Sequence, residues 1–216
     1  MAPETERPAP MLIGDSPALD FLNSIAAPKG LVIDWLETKA SLLDWFEQSG
    51  LCEKSELARL CDEADPAEMT KALQDIHAFR DLFRDFIKEA AGKANAPVSD
   101  QLVRDINEIL LGGTLTMQIA VTAQDRAGDT GAAPTHALRT QIELRTPRDL
   151  LVRVAAACAK LICEADFSCV RNCEGPTCTM YFLDVSKNRK RRWCSMSICG
   201  NRAKAATHRK AKAASP

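Results

Sequence analysis

Apolar residues return every three or four positions along residues 66–90, where Met69, Leu73, Ile76, Phe79, Phe83, Phe86 and Ile87 form one stripe. Asp65, Pro66 and Glu68 supply a cap, a first-turn proline and an acid three residues beyond the cap. This stretch is therefore expected to be the central helix, ended by the segment 92–97. Shorter helices are predicted before it. Ser16 and Pro17 open one with Leu19, Leu22 and Ala26 spaced for a buried face, and Leu42, Leu43, Trp45 and Phe46 carry another over about 39–48, closed by Gly50. A third covers about 54–63, and beyond the central helix Ser99 caps one that Gly112 and Gly113 stop.

The period then changes. Residues 114–123 and 135–144 are rich in Thr, Ile, Leu and Val with rough alternation, which predicts two antiparallel strands joined by a mobile loop over 124–134. Thr146, Pro147, Arg148 and Asp149 open a further helix that turns Leu150, Leu151, Val154, Cys158, Leu161 and Ile162 inward. The expected fold class is α+β. A disordered leader at residues 1–11 precedes a predominantly helical domain with a β-hairpin at 12–166, and a small module follows at 167–216.

Charge sharpens this division. The chain has 216 residues, 46% of them apolar, enough for one sizeable core and a small module. Its formal charge of -1 hides a segregation: residues 171–216 hold eleven Lys/Arg against Glu174 and Asp184, a charge of +9, which leaves -10 on the rest. A basic module on an acidic body points to a polyanionic partner. The longest apolar stretch, 150–163, is interrupted by Arg153 and Lys160, and the proline-bearing start lacks the pattern of a signal peptide. A cytoplasmic protein without a membrane partner is expected, and there nine cysteines stay reduced and favour metal over disulfides.

Four of those cysteines are paired. Cys173 with Cys178 and Cys194 with Cys199 are two C-x4-C pairs, fifteen residues apart. Two thiolate-bearing loops facing each other across a hairpin supply the tetrahedral sulfur set that one structural zinc ion prefers. Gly175 and Pro176 turn the first loop. Cys169 is a rival for Cys173. Cys52, Cys61, Cys158 and Cys163 fall on predicted helices and read as core residues. After Cys178, residues 179–184 read as a strand, 186–192 as a returning turn, and Cys199 onward as a helix to about residue 213. This treble-clef-like arrangement offers almost no apolar core of its own. The chain carries no P-loop, G-x-S-x-G, G-x-G-x-x-G or deaminase signature, so no catalytic residue is assigned and an enzyme is not expected.

The basic run from Asp184 to Trp193, followed by Cys194-Ser195-Met196 and Cys199-Gly200-Asn201-Arg202, resembles the CGNR zinc finger. That finger is a DNA-binding element of bacterial stress-induced transcription regulators. The resemblance implies Cys173, Cys178, Cys194 and Cys199 as the metal ligands. The stretch Leu19 to Ser24, the Asp34-Trp35 turn and Leu43-Asp44-Trp45 are similar to the ABATE domain that precedes such fingers. On this reading Lys187, Arg189, Lys190, Arg191, Arg192, Asn201, Arg202, Lys204 and Arg209 contact DNA, cations on phosphates and Asn201 or Arg202 near base edges. Asn201 and Arg202 have a second reading as braces of the cysteine loops. Asp20 and Asn23 either face a small-molecule effector pocket or cap neighbouring backbone. The N-terminal domain is expected to sense an effector or to form a homodimer. RNA binding, with Tyr181 or Trp193 stacking on bases, is the alternative, followed by an enzyme with a structural zinc.

Overall fold

In the computed structural model, residues 7–122 and 135–213 are described; residues 1–6 of the expected leader and the expected loop 124–134 lie outside them. The order of elements is α1 (Pro17–Leu22), β1 (Ile25–Ala26), β2 (Ile33–Asp34), α2 (Lys39–Gln48), α3 (Lys54–Glu63), α4 (Pro66–Ala90), α5 (Asp100–Leu111), β3 (Leu115–Thr122), β4 (Thr135–Ile142), α6 (Arg148–Glu164), β5 (Val170–Asn172), β6 (Tyr181–Leu183) and α7 (Asn201–Ala213). A π-helical turn, Met196–Gly200, leads into α7.

The predicted stripe makes α4 the central helix. The Asp65 carboxylate accepts from the Ala67 N–H at 2.7 Å, Pro66 fills the first turn, and Met69, Ile76, Phe79, Phe83 and Ile87 are buried. Helices α1, α2 and α6 pack on α4, while α5 packs on α6. An aromatic chain follows the same axis. Phe21 stacks on Phe79 at 6.1 Å, Phe79 on Phe83 at 6.3 Å, and Phe86 meets Phe167 edge-on at 5.4 Å. The core thus runs without a break toward the cysteine module.

Two buried arginines fasten the helices. Arg80 on α4 donates to Asp34 at 2.8 and 2.7 Å and to the Ser24 hydroxyl at 2.9 Å. Arg153 on α6 forks onto Glu56 of α3 at 2.8 and 2.6 Å and also donates to the Leu51 and Ile142 carbonyls. Such pairs contribute geometry more than net stability, because each charge loses its water.

Among the described residues the sheets are three separate antiparallel pairs, β1 with β2, β3 with β4 and β5 with β6. The strand β5 is absent from the sequence reading. Three residues are too short for a period to show, and its partner β6 lies beyond the first cysteine loop.

The module at 167–216 differs from expectation in one respect: it shares the core of the helical domain. Val170, Met180 and Phe182 are fully buried and continuous with that core. Backbone contacts seal the join. The Leu183 N–H donates to the Gly14 carbonyl at 2.8 Å, and Gly92, in a left-handed turn at φ +82° that ends α4, directs its N–H to the Phe167 and Val170 carbonyls at 2.9 and 3.0 Å. Residues 7–11 of the expected leader also lie on the domain, with the Trp35 indole N–H on the Pro8 carbonyl at 2.6 Å.

Asn23, 2% exposed, is the polar centre of this join. Its amide donates to the Tyr181 carbonyl at 2.7 Å and accepts from the Tyr181 N–H at 2.9 Å. Asn23→Ala is expected to cost about 2 kcal/mol, by leaving both backbone groups of Tyr181 unpaired. Hydrogen exchange checks this: the Tyr181 and Leu183 amides should exchange faster while zinc content stays unchanged.

Candidate metal centre and nucleic-acid interface

The hairpin β5–β6 carries Cys173 and Cys178 in its connecting loop, and the π-helical turn carries Cys199 with Cys194 just before it. All four thiols are buried, and their sulfurs lie within 4.8 Å of one another. The Cys178–Cys194 and Cys194–Cys199 separations are 3.8 and 3.6 Å. A tetrahedron with zinc–sulfur bonds of about 2.3 Å has sulfur–sulfur edges of about 3.8 Å, so the set fits one structural zinc ion. The same separations are far too long for disulfides, whose bond is about 2.05 Å. Four thiolates fill the tetrahedron and leave no position for water.

The surroundings suit thiolates. The Gly175 and Cys194 N–H groups donate to the Cys173 sulfur at 3.5 and 3.3 Å, and Arg202 donates to the Cys199 sulfur at 2.9 Å. Hydrogen bonds from the Cys178 and Cys194 side chains lower the pKa of Cys173 and favour its thiolate, against the opposing effect of burial. A Cβ at Gly175 would sit 3.1 Å from both the Cys178 Cβ and the Cys199 sulfur, so any other residue would press on the ligand loops. Cys169, the rival ligand, stays outside the cluster, with its thiol directed to Asp166 at 3.8 Å.

The basic residues divide into two groups. Arg191 belongs to the fold: its guanidinium lies 4.2 Å from the centre of the Phe182 ring, donates to the Ile13 and Trp193 carbonyls at 3.0 Å each, and pairs with Asp15. Arg202 likewise donates to the Ile198 carbonyl at 3.2 Å and to the Pro28 carbonyl. For Arg202 these contacts, with the one to the Cys199 sulfur, agree with the bracing reading, and Arg191 is engaged on backbone carbonyls of the fold in the same way. Arg189 and Arg192 are exposed, each paired with one acid, Asp166 at 2.9 Å and Glu174 at 2.6 Å. Lys187, Lys190, Lys204 and Arg209 are exposed without an ion pair among the described residues. Asn201 is exposed at the start of α7, and among the described residues no hydrogen bond links its side chain to the cysteine loops.

Buried Asp184 shapes the loop that presents these cations. It accepts from the Ser186 N–H at 3.1 Å and the Arg191 N–H at 2.8 Å. Burial would raise its pKa, but the hydrogen bonds from Ser186 and Arg191 outweigh that and hold it below the ordinary carboxylate value. This turn begins the returning segment expected over 186–192.

Asp20 and Asn23 both engage backbone groups, the arrangement that the capping reading describes. Asn23 docks β6, and the Asp20 carboxylate accepts from the Gly14 N–H at 2.7 Å. Lys88, Arg171 and Asn172, which the sequence reading missed, meet elsewhere. A cavity of about 430 Å³ at the join is lined by Lys88, Arg171, Asn172, Tyr181 and Arg192, and Arg171 has a buried Nε without a hydrogen-bond partner. Nothing in the order of residues connects Lys88 with Arg171, because tertiary packing alone brings α4 to β5.

These features define a helical domain with a docked four-cysteine zinc finger. Residues 15–165 match the ABATE family model, described as "Putative stress-induced transcription regulator", and residues 170–212 match the CGNR zinc finger. The chain belongs to the ABATE family and carries a CGNR finger. Among curated proteins none matches it. No helix among the described residues is long and apolar enough to cross a membrane.

Elemental analysis is expected to find one zinc per chain. Cys194→Ser should release it and unfold the loops between Cys173 and Cys199, since the apparent metal contribution in zinc-finger peptides is about 10–16 kcal/mol; unchanged metal content would count against the assignment. Asp20 makes a second expectation. Burial, outweighing the Gly14 hydrogen bond, lifts its pKa from 3.8 to about 6. The folded state thus holds the proton more tightly than the unfolded chain, so this group costs stability at pH 7 and that cost disappears as pH falls from about 6 to 4. Asp20→Asn should raise stability at pH 7 by about 1–2 kcal/mol and flatten that part of the urea-denaturation pH profile.

Proposed function

We propose that the chain is a transcription regulator that holds duplex DNA against the outer surface of its zinc finger. The observation that carries this reading is a set of exposed cations, Lys187, Lys190, Lys204 and Arg209, on a frame held by the cysteine cluster. A groove of about 380 Å³ lies between the basic loop and the turn before α7, bordered by Lys190, Arg192, Ser195 and Met196. Lys187, Lys190, Arg192 and Lys204 take phosphates, with Arg189 and Arg209 beside them, and Asn201 is the side chain placed to reach a base edge. Arg192 and Arg189 exchange an acid partner for a phosphate, which makes the surface responsive to salt. The protein works in the cytoplasm, where its thiols stay reduced. Effector sensing is placed in the cationic cavity between α4 and β5, where an anionic small molecule touches both the helical domain and the finger.

DNA affinity should fall with salt along a log–log slope of about -4, from four or five neutralised phosphates at about -0.9 each. Lys187→Ala, Lys190→Ala and Lys204→Ala should each flatten the slope by about 1 without loss of zinc, whereas Arg191→Ala should lower stability. A slope near zero discards the reading. Structured RNA that displaces duplex DNA at equal salt replaces it with the RNA-binding one.

A further inference from the structure

The β3–β4 ribbon has its apolar side turned to solvent. Leu115, Met117 and Ile119 alternate along one face of β3 and are 68, 71 and 75% exposed; Leu138, opposite Ile119, is 68% exposed. Ile142 opposite Leu115 and Thr140 opposite Met117 complete that face. The other face carries Thr116, Gln118, Arg139 and Gln141. At the base of the ribbon this polar face meets the body: the Gln141 amide donates to Glu56 at 2.7 Å, beside the Glu56–Arg153 pair. An antiparallel sheet ordinarily packs its apolar face on the core and solvates its polar face. Here the two are reversed, and a slip of one residue in register would have reversed them back.

The ribbon is also unprotected. Both strands are edges among the described residues, where the sheet consists of β3 and β4. The eight residues of β3 include no charge and no proline, the usual guards against edge pairing, and β4 has only Arg139. An isolated two-stranded ribbon is marginal in water and needs a further layer.

We propose that this face is a homodimer interface, in which the ribbons of two copies of the chain pack apolar face to apolar face across a two-fold axis. A second copy fits for three reasons. The face is aliphatic and uncharged, as the centre of a homodimer interface is, with no charge pattern to select a different protein. The face is a flat row of aliphatic side chains, Leu115, Met117, Ile119, Leu138 and Ile142, which a two-fold axis can set against the same row of a second copy. The four exposed side chains offer about 500 Å² per copy, or about 1,000 Å² across a dimer, which meets the lower bound of a specific interface before flanking residues are counted. A lipid surface is disfavoured, because such a face requires a basic rim and the ribbon supplies one arginine. This inference does not depend on DNA binding.

The test uses the full zinc-loaded chain. Sedimentation equilibrium should give a dimer, and Met117→Lys with Ile119→Lys should weaken it by at least about 100-fold, with helical circular dichroism and zinc content unchanged. Gln118→Lys, on the opposite face, should leave the dimer intact. A measurement on the wild-type chain guards against misfolded variants: amides of residues 115–120 and 136–142 should lose hydrogen-exchange protection on dilution into the monomer range. A wild-type chain that is monomeric at every concentration up to about 0.1 mM overturns the proposal. So does a dimer that survives both lysines, or ribbon protection that does not change with dilution, the result expected if the segment 123–134 or another partner covers the face.

Discussion

Four sulfur atoms confined within 4.8 Å cannot all carry charge unless a cation lies among them, and most of the finger depends on this constraint. Between Cys173 and Cys199 lie the two cysteine loops, a three-residue strand and the basic loop. Two loops of this size have too little apolar surface to hold each other. A divalent ion joins them, and the N–H groups of Gly175 and Cys194 with the Arg202 guanidinium disperse the remaining negative charge over the ligands. The metal thereby sets the direction of α7 and of the basic loop.

The second source of order is the join with the helical domain. Met180 and Phe182 on either side of Tyr181 are buried in the common core, and Asn23 pairs with both backbone groups of Tyr181. The finger is therefore a part of one body, and a change at α1 or at the end of α4 is felt at the finger through packed atoms. For a regulator this matters physically: a ligand in the cavity lined by Lys88 and Arg171 would bear on β5 directly. Coupling of that kind requires that the ligand hold the two arrangements of the join with different affinity.

The fate of the arginines shows how charge is divided between structure and surface. Arg80 and Arg153 fasten helices, Arg191 fastens the basic loop to the segment before α1, and Arg202 connects a zinc ligand to the Pro28 carbonyl. Arginine suits these places because its planar fork satisfies several carbonyls or carboxylate oxygens at once and stays charged. The lysines of the finger remain at the surface, where a flexible ammonium contributes little to folding and much to the field around the protein.

Much of this was legible in the order of residues. The helices α2 to α6 follow from caps, glycine stops and apolar spacing, because a helix obeys rules that reach no further than four residues. The pair spacing of the cysteines already implied zinc, since ligand loops are also local. The order of residues marked Arg202 as a possible brace, because it sits beside a ligand, but could not separate Arg191 from the cations around it, nor show that Asn23 docks a strand more than a hundred residues away. It gave no sign that the apolar side of the β3–β4 ribbon would face outward, because alternation names two faces without saying which one meets the core. Those outcomes were decided by tertiary packing, where a side chain's role depends on which distant carbonyl, ring or sulfur arrives beside it.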